Sequence, residues 1–206
     1  MKVIFSLFLI IVGIVVAAFP VIKAQYSLNH QEELLGDWEE ISQDAKLSYT
    51  SLNDVFHTKK KPVQEETEAL SSGELIGKIE IPQIDLRMPI VEGATLENMK
   101  NAAGHLEGTG QIGEQGNAAV AAHRSYTYGK DFNRLDEIVV GDEINITTRE
   151  GTYRYVVFNT TIVLPEDTSI LKSKQDKSVL TLITCEPMKD PTHRLIVQAS
   201  LENYIK

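Results

Sequence analysis

An uninterrupted apolar run opens the chain. Between Val3 and Ile22 there is no charged side chain over 20 residues, and one lysine flanks the run on each side. As a helix with a rise of about 1.5 Å per residue, the run would span about 30 Å, the thickness of the hydrocarbon core of a bilayer. A cleaved signal peptide is the alternative, because Val16-Ala17-Ala18 fits a small-residue cleavage site. We favour a retained membrane anchor over residues 1–23, since the run is longer than a usual signal-peptide core; a single-pass topology then places the rest of the chain outside the cell.

The next segment, residues 24–72, is polar and acidic. Ten acidic residues against four lysines give it a charge of −6. Apolar residues at helical spacing predict an amphipathic helix over residues 30–46, in spite of Gly36. These apolar residues are Leu34, Leu35, Trp38, Ile41 and Ala45. Two interpretations stay open: the segment is a solvated stalk that holds the following domain off the membrane, or it packs on that domain and partly covers its cleft.

Strand signals dominate residues 73–206, which are enough for one hydrophobic core. The predicted strands are Leu75–Ile81, Leu86–Val91, Asn117–Ala122, Glu143–Thr148, Thr152–Asn159, Thr161–Leu164, Ser178–Thr184 and Arg194–Ser200. Leu96–Ala103 is predicted as one short helix, and Arg149-Glu150-Gly151 as a turn. Short strands at this spacing, with few helical segments, predict an all-β domain, either a closed barrel or a sandwich.

Composition and charge limit the classes of function. The 206 residues are 42% hydrophobic and 24% charged, near the average for globular proteins, which excludes wholesale disorder. The net charge is −9 and no long run of Lys and Arg occurs, so nucleic acid is not an expected partner. The acidity is densest in the stalk, because residues 73–206 carry only −5. A single cysteine, Cys185, excludes an intramolecular disulfide and a zinc site built from several cysteines.

Cys185 is the first of three residues that could carry chemistry. It follows the β-prone run Thr181-Leu182-Ile183-Thr184, and a nucleophile at the end of a buried strand is rigidly placed. A buried structural cysteine is the commoner case for a lone thiol. In an oxidising extracellular space, however, an unpaired thiol is a liability unless the protein uses it, and this favours a functional role.

The other two candidates are His123 and Arg194. His123 follows the small-residue strand Ala118–Ala122, and a histidine there can act as a general acid and base at neutral pH. Arg194 opens the last predicted strand, nine residues after Cys185. Its guanidinium could stabilise an oxyanion during acyl transfer. The alternatives are an exposed histidine and an arginine in a surface salt bridge. The remaining histidines fit surface positions; they are His30, His57, His105 and His193.

The order of these motifs resembles that of the sortases, the membrane-anchored cysteine transpeptidases of Gram-positive bacteria. Thr181–Cys185 resembles the nucleophile motif of the family, and Ala121-Ala122-His123-Arg124 resembles its histidine motif, although Ala122 stands where the family usually has glycine. Arg194 lies on the following strand, as the catalytic arginine of the family does. Asp85–Gly93 resembles the early strand pair. The resemblance covers residues 73–200 and the amino-terminal anchor, and it is closest to class A, with class D as runner-up.

The resemblance implies a closed eight-stranded β-barrel with short helices in the catalytic domain, residues 73–206. It also implies that Cys185 cleaves an LPxTG-like sorting signal of secreted proteins, forming a thioacyl-enzyme that an amine resolves. The amine would come from a peptidoglycan precursor or another acceptor. His123 and Arg194 would be the other catalytic residues, and Thr184, Ile183 and Ala122 the expected substrate contacts. No cofactor or metal is expected, since no acidic cluster matches the calcium site of some class A members.

Two other classes of protein remain as alternatives. An L,D-transpeptidase is also extracytoplasmic and uses Cys, His and Arg, but such enzymes carry His and Cys close together in one motif. Here 62 positions separate His123 from Cys185. A non-catalytic wall-binding module is the other alternative, and in that case Cys185 would only be a packing residue.

Overall fold

The structure is a computed structural model that describes residues 12–14, 18–19, 22, 25–26, 29–38, 70–172 and 176–206. Most of the predicted anchor lies outside these residues. Within the part of the chain that the structure describes, no helix is long and apolar enough to cross a membrane.

Eight strands within the described residues form a closed barrel, as the family resemblance implies. They are β1 (Leu75–Ile81), β2 (Leu86–Glu92), β3 (Ala103–His105), β4 (Gly116–Ala121), β5 (Glu143–Thr147), β6 (Thr152–Val163), β7 (Ser178–Glu186) and β8 (His193–Ile205). Their order around the barrel is β1-β2-β3-β4-β7-β8-β6-β5, and β5 pairs with β1 to close it. The pairs β2–β3 and β4–β7 are parallel, and the other six pairs are antiparallel.

The core of the barrel is built from the residues that alternate inward along the strands. Examples are Ile79 and Ile81 of β1, Ile144 and Ile146 of β5, and Leu180 and Leu182 of β7. Burying each such side chain contributes about 1.5–3 kcal/mol relative to leaving it exposed. Phe132 and Leu135, from the connection between β4 and β5, pack on the same core. Apolar contacts therefore attach the segment that follows His123 to the barrel core.

Among the described residues, four short 3-10 helices join the strands, at Pro82–Ile84, Asn98–Lys100, Leu135–Glu137 and Thr168–Leu171. The helix predicted over Leu96–Ala103 is wrong except for Asn98–Lys100, because Ala103 already belongs to β3. Three small or polar residues give β3 no strand signal of its own. Its pairing with β2 and β4 makes it a strand, and Gly104 permits the close packing: a Cβ there would lie 2.5 Å from Cα of Ala94.

Two predicted strands are one in the structure. Thr152–Asn159 and Thr161–Leu164 merge into β6, which is 12 residues long and pairs with β8 along its whole length. The pairing of β6 with β8 has register shifts at Arg154/Tyr155 and Val157/Asn159, as in β-bulges, and continues through both. The predicted turn at 149–151 is confirmed, since the amide of Thr148 donates to the carbonyl of Gly151 at 2.8 Å.

Residues 29–38 are helical, which agrees with the first part of the predicted helix; residues 39–69 lie outside the described residues. Gln31, Leu35 and Trp38 share one face of this helix and are buried, with Trp38 only 2% exposed. Nε2 of Gln31 donates to Oδ1 of Asp131 at 3.0 Å, a contact across 100 positions of sequence. Of the two interpretations left open, the described part of the segment therefore packs on the domain, beside the loop that follows β4.

His105 does not lie on the surface, contrary to the sequence interpretation. It is buried at the end of β3, with Nδ1 2.8 Å from Oε2 of Glu92. Its Nε2 donates to the carbonyl of Gly110 at 2.9 Å. No local sequence pattern indicates this pair, because Glu92 ends β2 and meets His105 only through the parallel β2–β3 register.

Candidate functional site

Cys185 lies near the end of β7, where the run Ser178–Glu186 leaves the barrel. Its thiol is free and half-buried. The strand β7 is paired on both sides up to Ile183, with β4 and with β8, and at Cys185 itself the pairing with β8 continues. The side chain of Cys185 is thus fixed by a central strand but reaches solvent.

His123 lies just beyond the end of β4, the parallel neighbour of β7. The paired register of the two strands ends at Ala121 and Ile183. His123 and Cys185 each stand two residues beyond these positions, so both lie just past the end of the β4–β7 pairing, at the same end of the barrel. His123 is exposed, and its carbonyl accepts from the amide of Phe132 at 3.0 Å. The parallel pairing brings together two residues that are 62 positions apart.

Arg194 is the direct partner of Cys185 in the antiparallel pair of β7 and β8. Side chains of directly opposed residues share one face of the sheet, with Cβ atoms about 4.5–5.5 Å apart. The guanidinium is half-buried, and its Nη1 donates to the carbonyl of His193 at 2.9 Å. All three predicted catalytic residues thus meet at the same end of adjacent strands.

The three predicted substrate contacts lie directly beside these residues. Thr184 is buried, and its Oγ1 donates to the carbonyl of Ala122 at 2.9 Å. The amide of Ala122, also buried, donates to the carbonyl of Ile183 at 3.2 Å. Ile183 is half-buried. Their described contacts tie the ends of β4 and β7 together, and contact with substrate stays a prediction.

Arg124, directly after His123, is a site residue to which the sequence interpretation assigned no role beyond its place in the histidine motif. Its side chain is only 6% exposed. Nη1 donates to Oε2 of Glu186 and lies 3.5 Å from the carbonyl oxygen of Cys185, while Nη2 lies 2.9 Å from Oδ2 of Asp136. The one available signal was the charge pattern, since a basic residue follows the histidine and an acidic residue follows the cysteine.

The loop beyond Arg124 is held by polar contacts as well. Asp131 forms an isolated β-bridge with Arg124 and has a positive φ of 51°. Burial raises the pKa of the Asp131 carboxyl, and the nearby Lys130, Gln31 and His123 offset this only in part. Nδ2 of Asn133 donates to the carbonyl of Ser125 at 2.6 Å. The helix at 29–38 therefore contacts the same loop that places His123.

A cavity of about 290 Å³ opens between the 3-10 helix Leu135–Glu137 and strands β6 and β8. It is lined by Leu135, Asp136, Ile138, Thr160, Thr161, Ile162 and Leu195. Leu195 follows Arg194 in β8, but none of Cys185, His123 and Arg194 lines the cavity.

Comparison with known proteins agrees with this geometry. The family model of the Sortase domain matches residues 79–202, more than half of the chain. The chain belongs to the sortase family. This sortase is 29% identical over 190 residues to sortase D of Bacillus subtilis. The alignment covers 91% of this chain and 90% of the relative. It is also 29% identical to sortase A of Bacillus anthracis over 133 residues, covering 65% of this chain and 62% of the relative.

Solved sortase structures are similar to the barrel. A sortase D5 transpeptidase of Clostridium perfringens has a TM-score of 0.66 and 28% identity, and the alignment covers 84% of this chain and 98% of that one. Sortase C1 of the group B streptococcal pilus island 1 has a TM-score of 0.63 and 28% identity, covering 88% and 93%. This sortase is accordingly a cysteine transpeptidase with the all-β barrel of its family, and the wall-binding module and the L,D-transpeptidase are set aside.

Proposed function

We propose that this sortase cleaves an LPxTG-like sorting signal with Cys185 as nucleophile, and joins the released protein to an amine of the cell wall. The observation that carries the proposal is the meeting of three side chains at one strand end. The only cysteine of the chain lies at the same end of the barrel as His123, just beyond β4, and pairs directly with Arg194 on β8.

The first step is acylation. The Cys185 thiolate forms a bond from Sγ to the carbonyl carbon of the threonine in the signal, and the bond from that carbon to the following nitrogen breaks. His123, which holds the proton taken from the thiol, donates it to the leaving amine. The products are a thioester on Cys185 and a free amino group on the carboxy-terminal fragment.

The second step transfers the acyl group. An acceptor amine attacks the thioester carbon, His123 takes a proton from that amine, and the carbon–sulfur bond breaks to release the thiolate. The exposed position of His123 supports this step, because the incoming amine must reach the imidazole from solvent. The expected acceptor is a peptidoglycan precursor or another primary amine, and the donors are secreted proteins that carry the signal.

Arg194 is assigned to the oxyanion. Negative charge develops on the carbonyl oxygen in both steps, and a fixed guanidinium stabilises it best where water is excluded. Its place directly opposite Cys185 is within side-chain reach of that oxygen. In the present conformation Nη1 donates to the carbonyl of His193, so the guanidinium would exchange this bond for the substrate oxyanion.

A single-pass topology with an extracellular catalytic domain completes the proposal. The uncharged run from Val3 to Ile22 supports it, since a cell-wall transpeptidase must meet its substrates outside the membrane. Protease added to intact cells should digest the domain of an expressed full chain, and the domain should stay with the membrane fraction until detergent is added. Protection in intact cells would contradict this topology.

The reaction is tested on the full chain in detergent with a library of fluorescence-quenched peptides around LPxTG and a set of primary amines. We expect cleavage and peptide–amine products, both abolished in Cys185→Ala. Cleavage by Cys185→Ala at the wild-type rate would refute the nucleophile assignment. Products without dependence on the LPxT residues would refute the sorting signal. The resemblance favours class A, with class D as runner-up; identity is 29% to both sortase D and sortase A, with 91% of this chain aligned to the former and 65% to the latter.

A further inference from the structure

Two strands that carry the proposed nucleophile and base stop pairing just before these residues. The register of β4 and β7 ends at Ala121 and Ile183. The last backbone bond between the two strands runs from the amide of Ala122 to the carbonyl of Ile183. Beyond it side chains connect them: Thr184 donates to the carbonyl of Ala122, and Arg124 reaches across to Glu186 and to the carbonyl of Cys185. The relative position of His123 and Cys185 therefore depends on these side-chain bridges.

We propose that Arg124 is a positioning residue for transpeptidation: its guanidinium holds the backbone around the nucleophile against the backbone around the histidine. Arg124 follows His123 directly, and its Nη1 contacts the residue after the nucleophile and the carbonyl of the nucleophile itself. Its Nη2 contacts Asp136, which adjoins the 3-10 helix residue Leu135 in the core. The proposal rests on the roles assigned above to Cys185 and His123.

The chemistry of the network requires arginine. One rigid, planar guanidinium contacts Glu186, Asp136 and a carbonyl at the same time, which the compact ammonium of lysine cannot reproduce. The two carboxylates compensate a cation that is almost wholly removed from water. Because it is buried and its charge is already paired, Arg124 has little access to a substrate oxyanion.

This placement predicts an effect on the chemical step. A displacement of about 1 Å between catalytic groups can lower a rate about 100-fold. We therefore expect loss of Arg124 to lower kcat about 10- to 100-fold while KM for the peptide stays nearly constant. Arg124→Lys should lose less than Arg124→Met, since the ammonium can keep one of the ion pairs.

The matched control is Arg154, which also lies between two carboxylates. Its Nη1 is 3.5 Å from Glu143 and its Nη2 is 3.6 Å from Glu202, on β6 and away from the ends of β4 and β7. Arg154→Met removes an arginine and two ion pairs without touching the site. It should keep the wild-type kcat.

The experiment measures kcat, KM and the pH profile of peptide cleavage for the full chain in detergent, with the active enzyme counted by thiol titration. The variants are Arg124→Met, Arg124→Lys, Glu186→Gln, the double variant Arg124→Met/Glu186→Gln, Arg154→Met and Cys185→Ala. If Arg124 and Glu186 act as one unit, the double variant should match Arg124→Met within about twofold. The pH profile should change in Arg124→Met and remain unchanged in Arg154→Met, because only the former alters how His123 faces the thiol.

Each outcome decides a separate claim. Wild-type kcat in Arg124→Met, or kcat losses of the single variants that multiply in the double, would overturn the positioning role. An equal loss of kcat in Arg154→Met would show that the effect of Arg124→Met comes from a general loss of stability. Full activity in Cys185→Ala would overturn the proposed function itself. If Arg124→Met does not fold, Arg124→Lys and Glu186→Gln carry the same test, and wild-type kcat in both would overturn the proposal.

Discussion

Cys185 and Arg194 lie directly opposite each other on the antiparallel strands β7 and β8. The two residues are nine positions apart in sequence, and the strand register places their side chains on one face of the sheet. An arginine fixed in this way is suited to hold negative charge that develops next to the sulfur. The pairing makes the oxyanion role of Arg194 a specific, testable claim.

Arg194→Lys should lower kcat about 100- to 1,000-fold, the range found when one oxyanion donor is removed, because a single ammonium does not copy the guanidinium fork. The control is Arg149→Lys, an arginine near the 149–151 turn whose Nη1 lies 3.7 Å from Glu74. It should retain full activity. Steady-state cleavage of a quenched LPxTG-like peptide measures both, and equal rates for Arg194→Lys and wild type would assign Arg194 a structural role.

Thr184→Val removes the hydroxyl that donates to the carbonyl of Ala122 while keeping the shape of the side chain. We expect a loss of about 1–3 kcal/mol in the free energy of unfolding, because a buried carbonyl loses its partner. Thr160→Val, at an exposed position of β6, should change stability by no more than about 0.5 kcal/mol. Urea denaturation compares the two variants; similar small effects would show that the bond between β4 and β7 contributes little.

The stability of the protein should depend on the titration of Asp131. Burial raises the pKa of this carboxyl above its usual 3.8, so the folded state binds the proton more tightly than the unfolded state. The free energy of unfolding therefore falls as pH rises from 3.8 to the raised pKa.

Asp131→Asn lacks this titration, and asparagine tolerates the positive φ at this position. The difference in the free energy of unfolding between Asp131→Asn and wild type should increase over that pH interval. Above the raised pKa the difference should stay constant. Denaturation in a series of buffers from about pH 4 to about pH 8 follows the difference. A difference that does not vary with pH would mean that Asp131 does not titrate as the structure implies.

The helix at 29–38 should be released when its buried anchor is removed. Trp38→Ala deletes a side chain that is 2% exposed, a change that costs about 3–5 kcal/mol at such sites. We expect faster hydrogen exchange in residues 29–38 with little change in the barrel strands. Tyr26→Ala, at an exposed position, is the control and should leave exchange unchanged. Unchanged exchange in Trp38→Ala would show that Trp38 does not hold the helix.

Much of the barrel could be predicted from local pattern. The bounds of β1 and the turn at 149–151 agree with the prediction, because alternating apolar residues and turn residues act over a few positions. β3 was missed because Ala103, Gly104 and His105 become a strand only through pairing with strands on both sides. The split of β6 was wrong for a related reason: pairing with β8 carries the strand through its irregularity.

Local periodicity in the sequence determined an all-β domain. Short motifs determined the candidates Cys185, His123 and Arg194 and the family resemblance, which in turn implied the closed barrel. Tertiary structure alone decided how the candidates meet. The parallel register of β4 and β7 brings His123 and Cys185 to the same end of the barrel, the antiparallel register of β8 places Arg194 opposite the thiol, and Arg124 finds Glu186 across the strand ends. The physical reason is that strand register and side-chain hydrogen bonds join residues that are far apart in sequence. A local sequence pattern covers only a few positions and does not specify which distant residues meet.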